Sequence, residues 1–223
     1  MKKTIFISDN GSDFAPILTN TLLDKGCQVA SATPPESSSV PLSGSEDQVL
    51  TLPWRQNTPV GAKNLLLEGL NKFHSFDYAA LIFQPSRKSS AFHELGPRDI
   101  EETIDKEVNA QLHIAREILR YFQRKKKGSL FFLFPDVHGN VFSPIHSATL
   151  GCMESLIDSL FTFYQKEPIF LSGIYFESSS SEEAAKFIAD AIQNQTEKIR
   201  NKWIKYTGKT HFFSPFEVIN RKK

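Results

Sequence analysis

A polar turn near the start of the chain, residues 8–15 (SDNGSDFA), carries the residue types most suggestive of chemistry. It follows an apolar, β-branched run and precedes apolar residues at helical spacing. In open α/β sheets, a turn of this kind directs backbone N–H groups at the phosphates of a bound dinucleotide. Here Asp9 and Asp13 introduce two carboxylates, and a carboxylate about 4 Å from a phosphate charge costs on the order of 4 kcal/mol at an effective dielectric constant of about 20. The turn therefore has the position of a phosphate-binding loop and residues that oppose phosphate binding.

Structural roles account for the same residues. Asp9 starts a turn signal with the next two residues, Asn10 and Gly11, and either Ser12 or Asp13 can cap the helix that follows. We interpret Asp9 and Asp13 as turn and capping residues.

The six histidines offer few candidates for a metal or ligand site apart from the polar turn. None has the short spacing of metal ligands, so no metal is predicted. His138 and His146 flank one loop, where they could meet a ligand, although the simpler expectation places both on the surface. Residues 208–210 (GKT) resemble the end of a phosphate-binding P-loop, but Trp203 stands where its first glycine is required.

Composition narrows the class of protein. The chain has 223 residues and a formal net charge of +1, which fits one domain and argues against a nucleic acid or an anionic membrane as partner. Cys27 and Cys152 lie in apolar contexts and are expected to be buried, reduced thiols. The first apolar run stops at Ser8, too short for a secretory signal, and no run approaches 18 apolar residues. A cytoplasmic protein is expected.

Strand-like and helix-like segments alternate along the chain. This alternation predicts a three-layer α/β fold with a doubly wound parallel sheet of six to seven strands, in the order 3-2-1-4-5-6-7. The Ser/Pro-rich residues 34–47 are expected to be a mobile loop within this single domain. The predicted strands are residues 4–8, 27–33, 48–52, 78–83, 130–134 and 170–176, with a short last one around Phe212, Phe213 and Phe216. The predicted helices are one that ends at Gly26 and those at residues 58–73, 100–124, 145–164 and 182–206.

The order of elements and several phrases resemble the short-chain dehydrogenase/reductase family over nearly the whole chain. Residues 104–134 are similar to that family's fifth helix and fifth strand, and residues 147–176 to its catalytic helix and sixth strand. The resemblance implies a Rossmann fold and an NAD(P)-dependent oxidoreductase. It also places Asn109 on the helix asparagine that helps to organise the family's active site.

The family's chemical motifs are largely absent at the corresponding positions. Its three motif glycines fall on Asp9, Asp13 and Ala15, while Gly11 falls on a variable position. The resemblance assigns vestigial cofactor-binding positions to Ser8, Asn10, Gly11 and Ser12 in the turn and to Thr33 at the ribose site.

The catalytic positions are replaced as well. The family's catalytic tyrosine falls on His146, its lysine on Leu150, and its serine near Phe134 or Pro135. Only Asn109 matches.

Two functions follow from this contrast. The first is a catalytically silent protein of this fold that acts as a binding or interaction subunit and needs no cofactor. The alternative is an active NAD(P)-dependent oxidoreductase in which His146 replaces the tyrosine as acid. In either case we expect a homodimer or homotetramer through helices 100–124 and 145–164, with a protein partner possible and neither nucleic acid nor membrane involved.

Overall fold

The strands predicted from the sequence form one sheet. The computed structural model describes residues 2–9, 11–34, 42–54, 58–84, 90–136, 143–176, 181–206 and 216–219. Within these ranges the sheet has eight strands: β1 (Thr4–Asp9), β2 (Gln28–Thr33), β3 (Val49–Pro53), β4 (Tyr78–Ile82), β5 (Ser129–Pro135), β6 (Phe170–Phe176), β7 (Trp203–Tyr206) and β8 (Phe216–Ile219).

The sheet order is β3-β2-β1-β4-β5-β6-β7-β8, so the predicted order of the first six strands is confirmed. The predicted seventh strand corresponds to β8, and β7 lies between it and β6 in a segment that was predicted to be helical. Strands β1 to β7 pair in parallel, and β8 pairs antiparallel with β7. The chain thus has one strand more than the six to seven expected. Phe216 of the predicted last strand begins β8, whereas Phe212 and Phe213 lie outside the described residues.

Helices cover both faces of the sheet. They are α1 (Phe14–Asp24), α2 (Pro59–Phe73), α3 (Pro97–Ile104), α4 (Ala110–Lys125), α5 (Pro144–Phe163) and α6 (Ser181–Gln193), and a π-helical segment, Asp105–Asn109, joins α3 to α4. Helices α1 and α6 pack on one face with Ile5 and Ile7, while α2, α4 and α5 pack on the other with Phe6. Alternate residues of β1 therefore supply both cores, as expected for a strand covered on both faces.

The predicted helix over residues 182–206 is wrong in its second half. Helix α6 ends at Gln193, and Trp203 begins β7, which pairs with β6 at Gly173. Gly173 has no side chain, and the Trp203 indole packs directly against its backbone. The pairing of β7 with β6 thus includes a contact between residues far apart in sequence, Gly173 and Trp203. The helical spacing of apolar residues within 182–206 does not reveal such a contact.

The predicted helix over residues 100–124 is also more complex than expected. The spacing of apolar residues in the sequence predicts one buried stripe that begins at Ile104 and continues through Val108 and Ala115 to Phe122. Ile104 is exposed, whereas the other three residues are buried. In a π-helix the hydrogen bonds join residues five apart, so the segment rotates the following residues relative to α3. The stripe is correct only from Val108 onwards.

The two cysteines differ. Cys27 is buried, and burial raises the pKa of its thiol. Cys152 is exposed on α5, so the expectation of two buried thiols is wrong for this residue.

Of the loop expected at residues 34–47, residues 35–41 lie outside the described ranges. No helix in the described part of the chain is long and apolar enough to span a membrane.

The contact between Gly173 and Trp203 gives a stability prediction. A Cβ at residue 173 would overlap the Trp203 ring, so Gly173→Ala is expected to lower the free energy of unfolding by about 1–3 kcal/mol. Asn64, an exposed residue of α2, is the control. Asn64→Ala is expected to raise stability by up to about 1 kcal/mol through helix propensity. Urea unfolding of both variants measures these changes, and equal effects of the two would contradict the packing argument.

Candidate functional site

The polar turn at the end of β1 is held by a buried carboxylate. Asp9 is 0% exposed, and its Oδ1 and Oδ2 atoms accept hydrogen bonds from the backbone N–H of Ser12 at 3.0 and 2.8 Å. The Ser12 hydroxyl accepts a bond from the N–H of Ala15 at 3.4 Å, so Ser12 caps α1. Asp13 precedes the helix without a capping bond from its side chain. The Asp9 carboxylate, an anion of the protein itself, thus accepts the hydrogen bond of an N–H group in the turn that precedes α1.

The other predicted cofactor positions have structural contacts. The Ser8 hydroxyl is buried and donates to Gln111 Oε1 at 3.3 Å, which ties β1 to α4. Gly11 has φ +102°, a conformation that favours glycine, and it lies beside the Pro34 ring. Thr33 ends β2, and its carbonyl accepts a bond from the N–H of Trp54. Asn10 lies outside the described residues.

A stack of two aromatic rings lies close to the turn. Phe14, the first residue of α1, stacks on Phe176, the last residue of β6, with 4.1 Å between ring centroids and 26° between planes. Both side chains are buried. In the sheet β1 and β6 are separated by β4 and β5, a distance of about 14 Å at the usual strand spacing. The stacked rings therefore bridge this distance within the hydrophobic core that α1 and α6 cover.

Aromatic rings also lie at the carboxyl ends of the neighbouring strands β4 and β5. Phe83, which follows β4, stacks on Phe134 of β5 with ring centroids 4.6 Å apart. Both are buried, and Leu150 of α5 packs at half-burial against the same core. The positions where the resemblance expects a catalytic serine and lysine thus contribute to the hydrophobic core.

His146 lies in the first turn of α5 and is buried, with 6% of the residue exposed, so the surface position expected for it is wrong. Its Nδ1 atom lies 2.8 Å from Glu107 Oε1, which is an ion-pair distance without the alignment of a hydrogen bond. The Thr149 hydroxyl donates to Glu107 Oε2 at 2.6 Å. Asn109, the other predicted catalytic residue, donates from its amide to Asp105 Oδ1 at 2.6 Å.

A cavity of about 470 Å³ lies beside this pair. It is formed by the 90–95 region, α3, the π-helical segment and the start of α5. Its lining residues are Ser90, Glu94, Leu95, Asp99, Glu102, Thr103, Lys106, Glu107, Ser143, Ile145 and His146. Asn109 is absent from this wall, so the cavity includes one of the two predicted catalytic residues. Among the described residues, no three His, Cys, Asp or Glu side chains are grouped as metal ligands.

Three residues of this region were missed by the sequence interpretation. Glu107 faces His146 because of the π-helical segment, and a regular helical periodicity does not reveal that rotation. Gln111 is fully buried on α4, where its amide donates to the Ile82 carbonyl at 3.4 Å. Ser143 has a recognisable signal, since a serine directly before Pro144 is typical of a helix start.

Comparisons with known proteins support the fold. No family model matches the sequence, and a search of curated proteins finds no match. Among solved structures, the chain is similar to a 3-ketoacyl-(acyl-carrier-protein) reductase from Brucella melitensis, solved with NADH, at TM-score 0.79 and 13% identity over 91% of this chain and 96% of that one.

Two further structures agree. A short-chain dehydrogenase from Bacillus anthracis has TM-score 0.77 and 15% identity, over 91% of this chain and 94% of that chain. A short-chain dehydrogenase/reductase of the glucose/ribitol dehydrogenase type from Brucella melitensis has TM-score 0.76 and 13% identity, over 92% and 97%. The chain therefore has the fold of the short-chain dehydrogenases/reductases over nearly its whole length.

The two helix starts at Thr58 and Ser143 predict opposite responses to the same substitution. The Thr58 hydroxyl accepts a bond from the N–H of Gly61 at 3.1 Å, so Thr58→Ala is expected to lower stability by about 1 kcal/mol. The Ser143 hydroxyl is buried and has no hydrogen-bond partner among the described residues. Ser143→Ala removes no capping bond and is expected to leave stability unchanged within about 0.5 kcal/mol or to raise it. Urea unfolding tests both, and a loss above about 1 kcal/mol in Ser143→Ala would contradict this assignment.

Proposed function

We propose that this chain is a catalytically silent protein with the short-chain dehydrogenase/reductase fold that acts as a binding or interaction subunit. One observation carries the proposal: the Asp9 carboxylate accepts hydrogen bonds from the backbone N–H of Ser12, in the turn where the fold presents N–H groups to a dinucleotide phosphate. The crevice outside the carboxyl ends of β1 and β4 is where the fold would hold a nicotinamide dinucleotide, and the residues that surround this crevice do not fit one.

Charge is the first reason for the poor fit. A pyrophosphate at this turn would approach a carboxylate that is 0% exposed and therefore poorly screened by water. At about 4 Å and an effective dielectric constant of about 20, the repulsion is on the order of 4 kcal/mol, roughly a thousandfold in affinity. The N–H of Ser12 cannot relieve it, because that group already donates to Asp9.

Shape is the second reason. In open α/β sheets the ligand lies outside the carboxyl ends of the strands, at the point where the strand order reverses, which here is between β1 and β4. The stack of Phe14 on Phe176 fills space at this edge with protein. A cofactor ring would have to separate two buried aromatic side chains, losing their contact and their burial.

The catalytic positions supply the third reason. Acid catalysis and oxyanion stabilisation need polar groups directed at the reacting carbonyl. Phe134 and Leu150 are core side chains, and His146 is the one titratable residue among the replacements of the catalytic tyrosine, lysine and serine.

Calorimetric titration with NADH and NADPH tests the proposal. We expect no binding with a dissociation constant below about 10 μM, which corresponds to about −7 kcal/mol. The Brucella reductase that was solved with NADH is a positive control in the same buffer. A dissociation constant below about 10 μM for either nucleotide would overturn the silent function.

An active oxidoreductase is the second candidate, and the His146–Glu107 pair beside the cavity favours it. A carboxylate close to a histidine is a common arrangement for a general acid. If either nucleotide bound, the next comparison would be His146→Ala against His93→Ala, an exposed histidine outside the cavity wall. Loss of turnover in His146→Ala alone would assign the acid and restore this candidate.

Self-association through α4 and α5 also belongs to the proposal. The exposed face of α5 carries small side chains, which allow a second helix to approach closely. They are Ser147, Ala148, Gly151, Cys152, Ser155 and Ser159. Phe163 at the end of the same helix is 80% exposed, an apolar group that a second copy would cover. The expected assembly is a homodimer or homotetramer.

A bulky charge on α5 is expected to dissociate the assembly. Ser155→Arg should shift the mass measured by light scattering from at least twice the chain mass to that of a single chain, because a buried unpaired guanidinium opposes helix packing. Asn64→Arg, an exposed position on α2, is the matched control and should leave the assembly unchanged. A wild-type monomer at micromolar concentration would contradict the proposed interface.

A further inference from the structure

We propose that a cavity at the amino edge of the sheet binds a small organic anion, a phosphate monoester with a compact apolar body. The cavity has a volume of about 520 Å³ and lies where β1, β4, β5 and β6 begin. The Asp9 turn lies at the opposite edge of the sheet, at the carboxyl end of β1. The inference therefore goes beyond the proposed function and does not depend on it.

Two charged side chains of the cavity wall, Lys3 and Asp77, have structural partners. The Lys3 Nζ atom donates to the carbonyl of Gln193 at 2.9 Å, at the end of α6. Asp77 accepts a hydrogen bond from the N–H of Thr4 at 3.3 Å, and its Oδ1 atom lies 3.4 Å from Lys125 Nζ. The charge of Asp77 is thus balanced by a lysine that lies outside the cavity wall.

Arg200 and Glu197, on the far side of the cavity, balance each other. Arg200 Nη1 lies 3.2 Å from Glu197 Oε1. Arg200 Nη2 donates to the carbonyls of Glu167 and Ile169 at 2.9 and 3.2 Å, which ties the turn before β7 to the start of β6. Both carboxylates of the wall therefore have a cationic partner, and neither gives the cavity an uncompensated negative charge.

Two further lysines of the wall remain for a ligand. Lys2 and Lys127 both line the cavity and are exposed. Within the described residues, neither ammonium group donates a hydrogen bond or joins an ion pair. With the other charges of the wall balanced, these two give the cavity a net positive charge, which attracts an anion and repels a cation.

The end of α4 fixes the backbone that carries Lys127. Lys126 has φ +52°, and the N–H groups of Lys126 and Lys127 donate to the carbonyls of Gln123 and Phe122 at 3.2 and 3.3 Å. Gly128 follows with φ +147°, where a Cβ would overlap the Phe122 ring. These contacts set the point at which the chain leaves the helix. The base of the Lys127 side chain is thereby held at the cavity wall.

The spacing of the two lysines suits a single anionic group. Lys2 precedes β1, Lys127 precedes β5, and β4 lies between these strands. At the usual strand spacing their backbones are about 10 Å apart. Each ammonium group is carried on a flexible four-carbon stem, so both can reach one group placed between them. A phosphate monoester has about −1.5 to −2 charges at pH 7 and three acceptor oxygens, which matches two ammonium groups better than one carboxylate does.

The apolar part of the wall accounts for an organic body. Pro168 is exposed and Tyr78 is half-buried, and both line the cavity beside the lysines. The volume of about 520 Å³ is within the usual range of small-molecule pockets, about 300–1,000 Å³. Inorganic phosphate would leave most of this space unfilled. A phosphate monoester with a single ring or a short hydrocarbon chain fits both parts of the cavity.

Three probes with one skeleton test the charge preference: benzyl phosphate, benzyl alcohol and benzylamine. NMR titration of the wild-type chain at pH 7.5 is expected to give benzyl phosphate a dissociation constant of about 1 mM or lower, at least about fivefold tighter than benzyl alcohol. No saturable binding of benzylamine is expected. Raising sodium chloride from about 50 mM to about 500 mM should weaken benzyl phosphate, because salt screens exposed charges. Equal binding of phosphate and alcohol, tighter binding of benzylamine, or no binding of benzyl phosphate would overturn the proposal.

Variants of the two lysines locate the charge that matters. Lys2→Gln and Lys127→Gln are each expected to weaken benzyl phosphate about two- to fivefold, and the double variant about fivefold or more, without changing benzyl alcohol. Both side chains are exposed, so the core stays intact. Lys63→Gln, at an exposed position of α2 outside the cavity wall, changes the net charge equally and should leave the affinity unchanged. An unchanged affinity in the double variant, or an equal loss in Lys63→Gln, would overturn the proposal.

Backbone amide signals place the bound probe and separate this inference from the proposed function. Benzyl phosphate should shift the amides of Ser129 and Phe170, which line the cavity, in a saturable way and leave the Ser12 amide unmoved. A shift at Ser12 alone would overturn the proposal. Failure of benzyl phosphate to bind leaves the silent function in place. Saturation of the Ser12 amide by NADH removes the silent function, and the benzyl probes still decide the cavity.

Discussion

The structure of the crevice depends on one constraint, a carboxylate buried at the carboxyl end of β1. Asp9 has no exposed surface, so the protein itself must solvate its charge, and the N–H of Ser12 does part of this. That contact fixes a tight turn, which Gly11 permits through its positive φ. It also sets where α1 begins, with Ser12 as its cap. A turn that could receive an external anion is thus organised around an internal one.

Elsewhere near the carboxyl ends of the strands, side chains of the protein also pack against one another. Aromatic side chains stack near the carboxyl ends of the strands. The Phe14–Phe176 and Phe83–Phe134 stacks extend both hydrophobic cores to the carboxyl edge of the sheet. Burial of large rings is among the stronger contributions to stability. The fold is preserved, and among the described residues a cavity of about 470 Å³ lies beside His146.

The sequence allowed the sheet to be predicted because its buried strands are short, continuous apolar runs such as residues 78–83 and 130–134. What it did not reveal depends on contacts between distant residues. Trp203 belongs to a strand because Gly173 leaves space for its ring, and helical spacing alone cannot indicate this. Glu107 reaches His146 through a π-helical segment, a local departure from the 3.6-residue period on which the interpretation relied. The acidic turn, in contrast, was recognisable, since Asp9 and Asp13 replace glycines where close backbone approach is needed.

The proposed function requires that the Ser12 N–H group stays bonded to Asp9 and is unavailable to a phosphate. The most direct measurement is the ¹⁵N–¹H signal of the Ser12 amide, followed by NMR while NADH is added to about a hundredfold excess over a 10 μM dissociation constant. This signal is expected not to move in a saturable way, because the Asp9 carboxylate keeps its hydrogen bonds. A saturable shift of the Ser12 amide with a midpoint below about 10 μM would show that a phosphate displaces the carboxylate, and the silent function would then be wrong.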